Sequence, residues 1–149
     1  MFEISQDVTL LGYDATTDLA VIRFESDEDF TVIPFGDSYE VEVGQTVFAI
    51  GNPLGFEYYG TVTSGIISGE ARYMKDGSFD ATLLQHDAPI SPGNSGGALL
   101  DINGNLIGIN NRKIVLEDVS NIGFAIPVNT VKRIAADLED DGIVVRPAL

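Results

Sequence analysis

The residues with the clearest capacity for chemistry form one run, Gln85-His86-Asp87-Ala88-Pro89-Ile90-Ser91-Pro92-Gly93-Asn94-Ser95-Gly96-Gly97. A serine hydroxyl is a weak nucleophile, so a hydrolase that uses one must expose it on a tight turn. Backbone N–H groups must also point at the carbonyl oxygen that turns negative in the transition state. Glycines on both sides of Ser95 permit that turn and keep Cβ atoms out of the path of a substrate. Gly93, Asn94 and Ser95 can then present converging N–H donors as an oxyanion hole. Loss of one such donor typically costs about 3–4 kcal/mol of barrier. The bland alternative is a glycine-rich β-turn that contains a serine and does no chemistry. Gly93–Gly97 also fits the G-x-S-x-G pattern of α/β-hydrolases, which set the serine between strand and helix with the histidine later in the chain. Here a hairpin pattern follows Ser95 and no histidine does.

The elements that must position this run read mostly as short β-strands. Val8–Gly12 and Leu19–Phe24 flank a turn-rich Asp14-Ala15-Thr16-Thr17-Asp18. Phe30–Phe35 is expected to be extended and broken by Pro34. Thr46–Ile50 reads as a strand stopping at Gly51-Asn52-Pro53-Leu54-Gly55, Gly60–Gly69 is rich in β-branched residues, and Ala81–Gln85 gives another strand. Ala98–Leu100 and Leu106–Ile109 flank Asp101–Asn105, where Asn103-Gly104 suits the positive φ angles of a hairpin turn. Asp101, Asn103 and Asn105 have the alternating oxygens of a calcium loop. Leu106 stands where that loop needs glycine and Arg112 where it needs glutamate, so no metal is expected. Gly123–Ile126 is a last strand. Asn129 or Thr130 can then cap a helix, about 129–141, whose apolar Val131, Ile134, Ala135 and Leu138 recur at helical spacing up to Gly142. The class is all-β, a barrel or sandwich, with one C-terminal α-helix.

Bulk properties narrow the partners. At 149 residues with 44% hydrophobic residues the chain can bury one core. Acidic residues outnumber basic ones, 23 to 8, a surface that repels phosphate backbones and argues against nucleic acid. The clusters Glu25–Asp29 and Asp137–Asp141 read as solvated surface. No apolar run is long enough to span a bilayer, so no membrane insertion is expected, and Met1-Phe2-Glu3-Ile4 does not resemble a basic signal sequence. With no cysteine there is no disulfide, thiolate metal site or cysteine nucleophile.

Gln85–Gly97 resembles the nucleophile segment of the HtrA/Deg (DegP-like) proteases, which are trypsin-like, and the likeness continues in order from about Leu11. Gly12–Val21 resembles that family's aspartate segment. Phe35-Gly36-Asp37-Ser38, Val43–Val47 and Ala49–Gly55 are similar to the inter-barrel region and the first strand of the second barrel. Thr61–Ser68, Leu106–Asn110 and Ile122–Pro127 are similar to later strands. The resemblance implies a chymotrypsin-fold, six-stranded Greek-key β-barrel with strands left over from an N-terminal barrel. Residues 1–34 would be that remnant with the inter-barrel connection, and residues 35–149 the C-terminal barrel and helix, with no PDZ domain.

It further implies serine endopeptidase activity on unfolded or damaged polypeptides through an acyl-enzyme on Ser95, without a cofactor. Asp18 would be the buried triad carboxylate, although a turn cap is its plainer reading. Gly93 and Ser95 would supply the oxyanion N–H groups, with Asn94 shaping the loop. Ile90 would wall the primary specificity pocket, and Asn110, Asn111 and Arg112 would lie on the substrate-binding strand and the loop after it. Glu70–Asp80 would be a mobile activation loop.

The departure is the base. A triad needs an imidazole to take the serine proton and return it to the leaving amine. The family's histidine lies before the aspartate, whereas the one histidine here, His86, sits on the strand leading into the nucleophile turn. It reads as a core or surface histidine with a satisfied ring nitrogen, and the chain is not expected to catalyse by itself. The other outcome is a protease-derived module that binds peptides or regulates without cleaving them. The family works outside the cytoplasm and forms homo-oligomers, often trimers through an N-terminal segment that this sequence lacks. Uncovered apolar faces near Val8–Phe24 would favour self-association.

Overall fold

Among the described residues, two β-sheets and one α-helix position the serine turn. The structure is a computed structural model that describes residues 7–53, 56–113 and 121–146. Strands β1 (Val8–Asp14) and β2 (Leu19–Phe24) pair antiparallel from Val8↔Phe24 to Asp14↔Leu19, with an irregularity between Leu10 and Gly12. Their connection is an Asx-type turn: Asp14 accepts from Thr17 N at 3.0 Å and from the Thr17 hydroxyl, and the chain then passes through Asp18 at φ 60°. Asp80 N donates to Thr16 O at 2.9 Å, which ties this turn to the second sheet.

That second sheet is a closed six-stranded barrel in the order β3-β4-β5-β8-β7-β6. Its strands are β3 (Thr46–Gly51), β4 (Thr61–Asp76), β5 (Phe79–His86), β6 (Ala98–Leu100), β7 (Leu106–Lys113) and β8 (Gly123–Pro127), all antiparallel. Closure of β6 onto β3 through Phe48↔Leu100 and Ala49↔Leu99 removes the free edges an open sheet would expose. Val47, Ala49, Ile67, Leu84, Ala88, Ile90, Leu99, Ile107 and Ala125 fill one core cluster. Full burial of a side chain such as Ile67 or Leu99 contributes about 1.5–3 kcal/mol.

Helix α1 (Val128–Asp140) buries Val128, Ile134 and Leu138. Its cap differs from expectation. Pro127 occupies the N-cap, where it has no side chain to donate or accept, and Asn129 lies inside the first turn. The capping oxygen comes from far away in sequence: Ser38 Oγ accepts the Asn129 N–H at 3.1 Å, and Asn129 Nδ2 donates to Asp37 Oδ1 at 2.7 Å. The other end stops as expected, with Gly142 at φ 73° and its N–H on Leu138 O.

The expected activation loop is instead regular structure. Residues 70–76 continue β4 and Phe79–Asp80 begin β5, so only Gly77-Ser78 turns. Gly77 at φ 59°, ahead of a Ser78 without positive φ, fits a II′-type hairpin turn. Charge suggested a loop, but these charges pair across a solvated ribbon. Lys75 Nζ lies 3.1 Å from its cross-strand partner Asp80, and Arg72 Nε donates to Gln85 Oε1 at 2.9 Å. At the Asp101–Asn105 hairpin only Gly104 has positive φ. Asp101 Oδ1 fastens the loop by accepting from Asn103 N and Asn105 N. Phe30–Phe35 forms no ladder; it meets the barrel through a single bridge, Phe35↔Leu106.

Candidate active site

The serine turn fills the link between β5 and β6, and two neighbouring strands hold it. Asn52 N, just past β3, donates to Gly93 O at 3.1 Å. From β7, Asn110 O accepts from Gly96 N at 2.7 Å, Asn110 N donates to Gly97 O at 2.9 Å, and Asn110 Nδ2 donates to Ala98 O at 3.0 Å. One residue therefore grips three consecutive positions after the serine.

Space dictates the glycines. Gly93 has φ 106°, and a Cβ there would sit 2.2 Å from Asn52 O; at Gly97 it would sit 2.0 Å from Ile50 O. Neither backbone oxygen can yield without breaking the barrel wall. Ser95 is exposed while Asn94 is buried, so the turn presents the hydroxyl and tucks the amide inward. The Asn94 N–H is already donated to Ser91 O at 3.0 Å, and Gly97 N to Asn94 O at 3.0 Å. Of the expected trio of oxyanion donors, the Asn94 N–H is therefore committed within the turn.

Asp18 is exposed, not buried, because its turn stands at the rim of the small sheet. Its Oδ2 accepts from Asn111 Nδ2 at 3.1 Å. The β7–β8 register shifts between Asn110 and Arg112, a bulge-type irregularity that falls at Asn111. Strand β7 thereby links the serine turn, through Asn110, to the Asp18 turn, through Asn111. The sequence marked both asparagines as substrate-strand residues, and their positioning contacts were not foreseen. Ile90 is 4% exposed and packs into the barrel core, so it presents no open pocket wall here. The loop following Lys113 lies outside the described residues.

His86 is wholly buried at the end of β5. Burial pushes its imidazole down to about 4, against the opposing pull of Asp87, the Ala88 backbone and Asn110. A ring with no solvent access that stays neutral through the ordinary pH range cannot relay protons at an exposed hydroxyl. Among the described residues, no group of three or more histidine, cysteine or carboxylate side chains is arranged to hold a metal ion. No described helix is long and apolar enough to cross a membrane.

The fold is a closed antiparallel barrel that carries an exposed serine on a glycine-rich turn clamped by an asparagine. A family model described as a trypsin-like peptidase domain matches residues 3–109, and the chain belongs to that family, as a member of its HtrA type. It is 47% identical over 142 residues to "Serine protease Do-like HtrA" of Bacillus subtilis (strain 168), covering 93% of this chain and 32% of that protein. It is 46% identical over 145 residues to the protein of the same name from Lactobacillus helveticus, covering 94% and 35%. Among solved structures it resembles the HtrA-type protease AlgW with a decapeptide, at TM-score 0.81 and 39% identity over 91% of this chain and 41% of that one. The chain therefore spans about a third of the length of these curated relatives.

Proposed function

We propose that this chain carries the nucleophile and oxyanion elements of an HtrA-type serine endopeptidase acting on polypeptides outside the cytoplasm. The outward Ser95 on a turn whose inward N–H is already spent supports this reading most directly. Ser95 Oγ attacks the scissile carbonyl carbon, and the oxygen, now negative, takes the N–H groups of Gly93 and Ser95. The serine proton passes to an imidazole other than His86, oriented by Asp18. That imidazole protonates the leaving amine, and water then cleaves the acyl-enzyme. The Asn110–Asn111 strand shapes the groove for an extended peptide. Unfolded chains are the substrate class, since only an extended segment can lie along such a strand.

The test is covalent labelling of Ser95 by a fluorophosphonate, with and without added free imidazole. Wild type labels, slowly, and imidazole speeds it; Ser95→Ala falls to background. Without the general base, the rate stays about three orders of magnitude or more below that of an intact triad. Equal labelling of the two chains, or none in wild type with imidazole present, overturns the nucleophile assignment.

A second reading has its own support. The single histidine of the sequence is walled inside the barrel, which favours a groove that holds peptide without turning it over. Saturable binding of an unstructured peptide, with Ser95 inert to the probe, selects that reading.

A further inference from the structure

The buried histidine needs an explanation, because an imidazole in an apolar core costs free energy that Val or Leu would not. The barrel has made a slot for it. His86 pairs with Gly123 across β5 and β8, and a Cβ at position 123 would lie 2.5 Å from the ring Cε1, 2.9 Å from Nε2 and 3.0 Å from Nδ1. The ring lies against the Gly123 backbone, where any other residue would expel it.

A side chain that acts on the ring belongs to the clamp of the serine turn, Asn110. Asn110 is 1% exposed, and its Nδ2 is committed to Ala98 O, so its Oδ1 must point elsewhere in the interior. That Oδ1 and both ring nitrogens are buried, and none of the three closes a hydrogen bond of good geometry, although the Asn110 side chain and the Ala88 backbone both act on the ring. A neutral imidazole has one N–H to give, and the Asn110 oxygen needs one. Asp87 is the charged neighbour acting on the ring, and its Oδ1 is occupied by Ile66 N at 2.6 Å.

We propose that His86 is a positioning residue for the serine turn: its neutral ring donates to Asn110 Oδ1 and sets the orientation of that carboxamide. With the oxygen held by the ring, the Asn110 NH2 faces Ala98 O, and its main chain stays in register with Gly96 and Gly97. A rotated carboxamide would set its oxygen against Ala98 O and loosen the turn that carries Ser95. The ring never touches substrate. The inference needs only the backbone geometry of the turn and stands apart from whether Ser95 is catalytic.

Nuclear magnetic resonance on the full chain tests it at neutral pH. The imidazole of His86 shows one neutral tautomer with a slowly exchanging N–H. His86→Phe keeps a flat ring and removes the donor; the Gly96 and Asn110 amides then exchange about tenfold faster, while amides of the β4–β5 ribbon do not change. His86→Gln, which restores an N–H, brings both amides back to within about threefold of wild type. A rapidly averaging pair of tautomers in wild type overturns the proposal whether or not either variant folds. Equal loosening by Phe and Gln does the same, because it reduces the ring to packing. Failure of the fluorophosphonate test leaves these readouts untouched, so the two ideas fail separately.

Discussion

Alanine at position 97 is expected to destabilise the barrel by about 3 kcal/mol or more, among the largest effects of any single methyl group in this protein. The added Cβ would fall 2.0 Å from Ile50 O and 2.9 Å from Asn94 O, both backbone atoms. Relief requires β3 and the serine turn to separate, which breaks the Asn110 N–H to Gly97 O bond and exposes the core beneath Leu99. The neighbouring Gly96 is the control. It has φ 84° but nothing within 4 Å of an added Cβ, so alanine there pays only the left-handed backbone cost of about 1–2 kcal/mol. Urea denaturation separates the two, with a midpoint loss for Gly97→Ala of about 1 M or more. Similar midpoints for both variants would show that the close approach at Gly97 is not what holds the turn.

The second large effect concerns the clamp at Asp14. Its carboxylate is 7% exposed and takes Arg146 Nη1 at 3.0 Å and Nη2 at 2.6 Å, besides Thr17. Burial by itself would raise the Asp14 pKa, but the bonds from Arg146 and Thr17 outweigh it and hold the carboxyl at about 2. Close by, Gly12 approaches Gly142 so tightly that a Cβ would lie 2.6 Å from its carbonyl oxygen. The pair therefore fixes the β1–β2 hairpin to the chain leaving α1.

Asp14→Asn keeps the shape and removes the charge. Because Arg146 is half-exposed and partly screened, the loss is about 2 kcal/mol at pH 7, below that of a fully buried pair. The depressed pKa means the ion pair contributes fully above the ordinary carboxylate value of 3.8 and is lost as pH falls toward 2. The stability gap between wild type and Asp14→Asn should thus be constant from neutral pH to about 5 and narrow below 4. A gap that persists unchanged at pH 3 would rule out the ion pair as its source.

How far the fold could be read from residues depends on the range of the interaction. Strand β2 was legible residue for residue, because Leu19–Phe24 is bounded by a turn cluster and an acidic run that no strand could absorb. The end of α1 at Gly142 was legible for the same reason, since a left-handed cap is a local demand. The start of α1 was not: its capping oxygen is Ser38, and no local pattern points ninety residues back. Residues 70–76 misled because their charges, unpaired in sequence, find partners only once β4 and β5 lie side by side.

The candidate site divides along the same line. Ser95 between glycines, and the lack of a histidine placed to serve it, follow from the order of residues alone, because a nucleophile turn is a short-range constraint on φ and steric room. Tertiary structure decided that the Asn94 N–H is spent on Ser91 O, that Asp18 stands exposed against Asn111, and that Ile90 lies in the core. It also buried His86, with the Asn110 side chain acting on its ring. These are contacts between strands far apart in the chain, and only closure of the barrel brings their backbones within hydrogen-bond range.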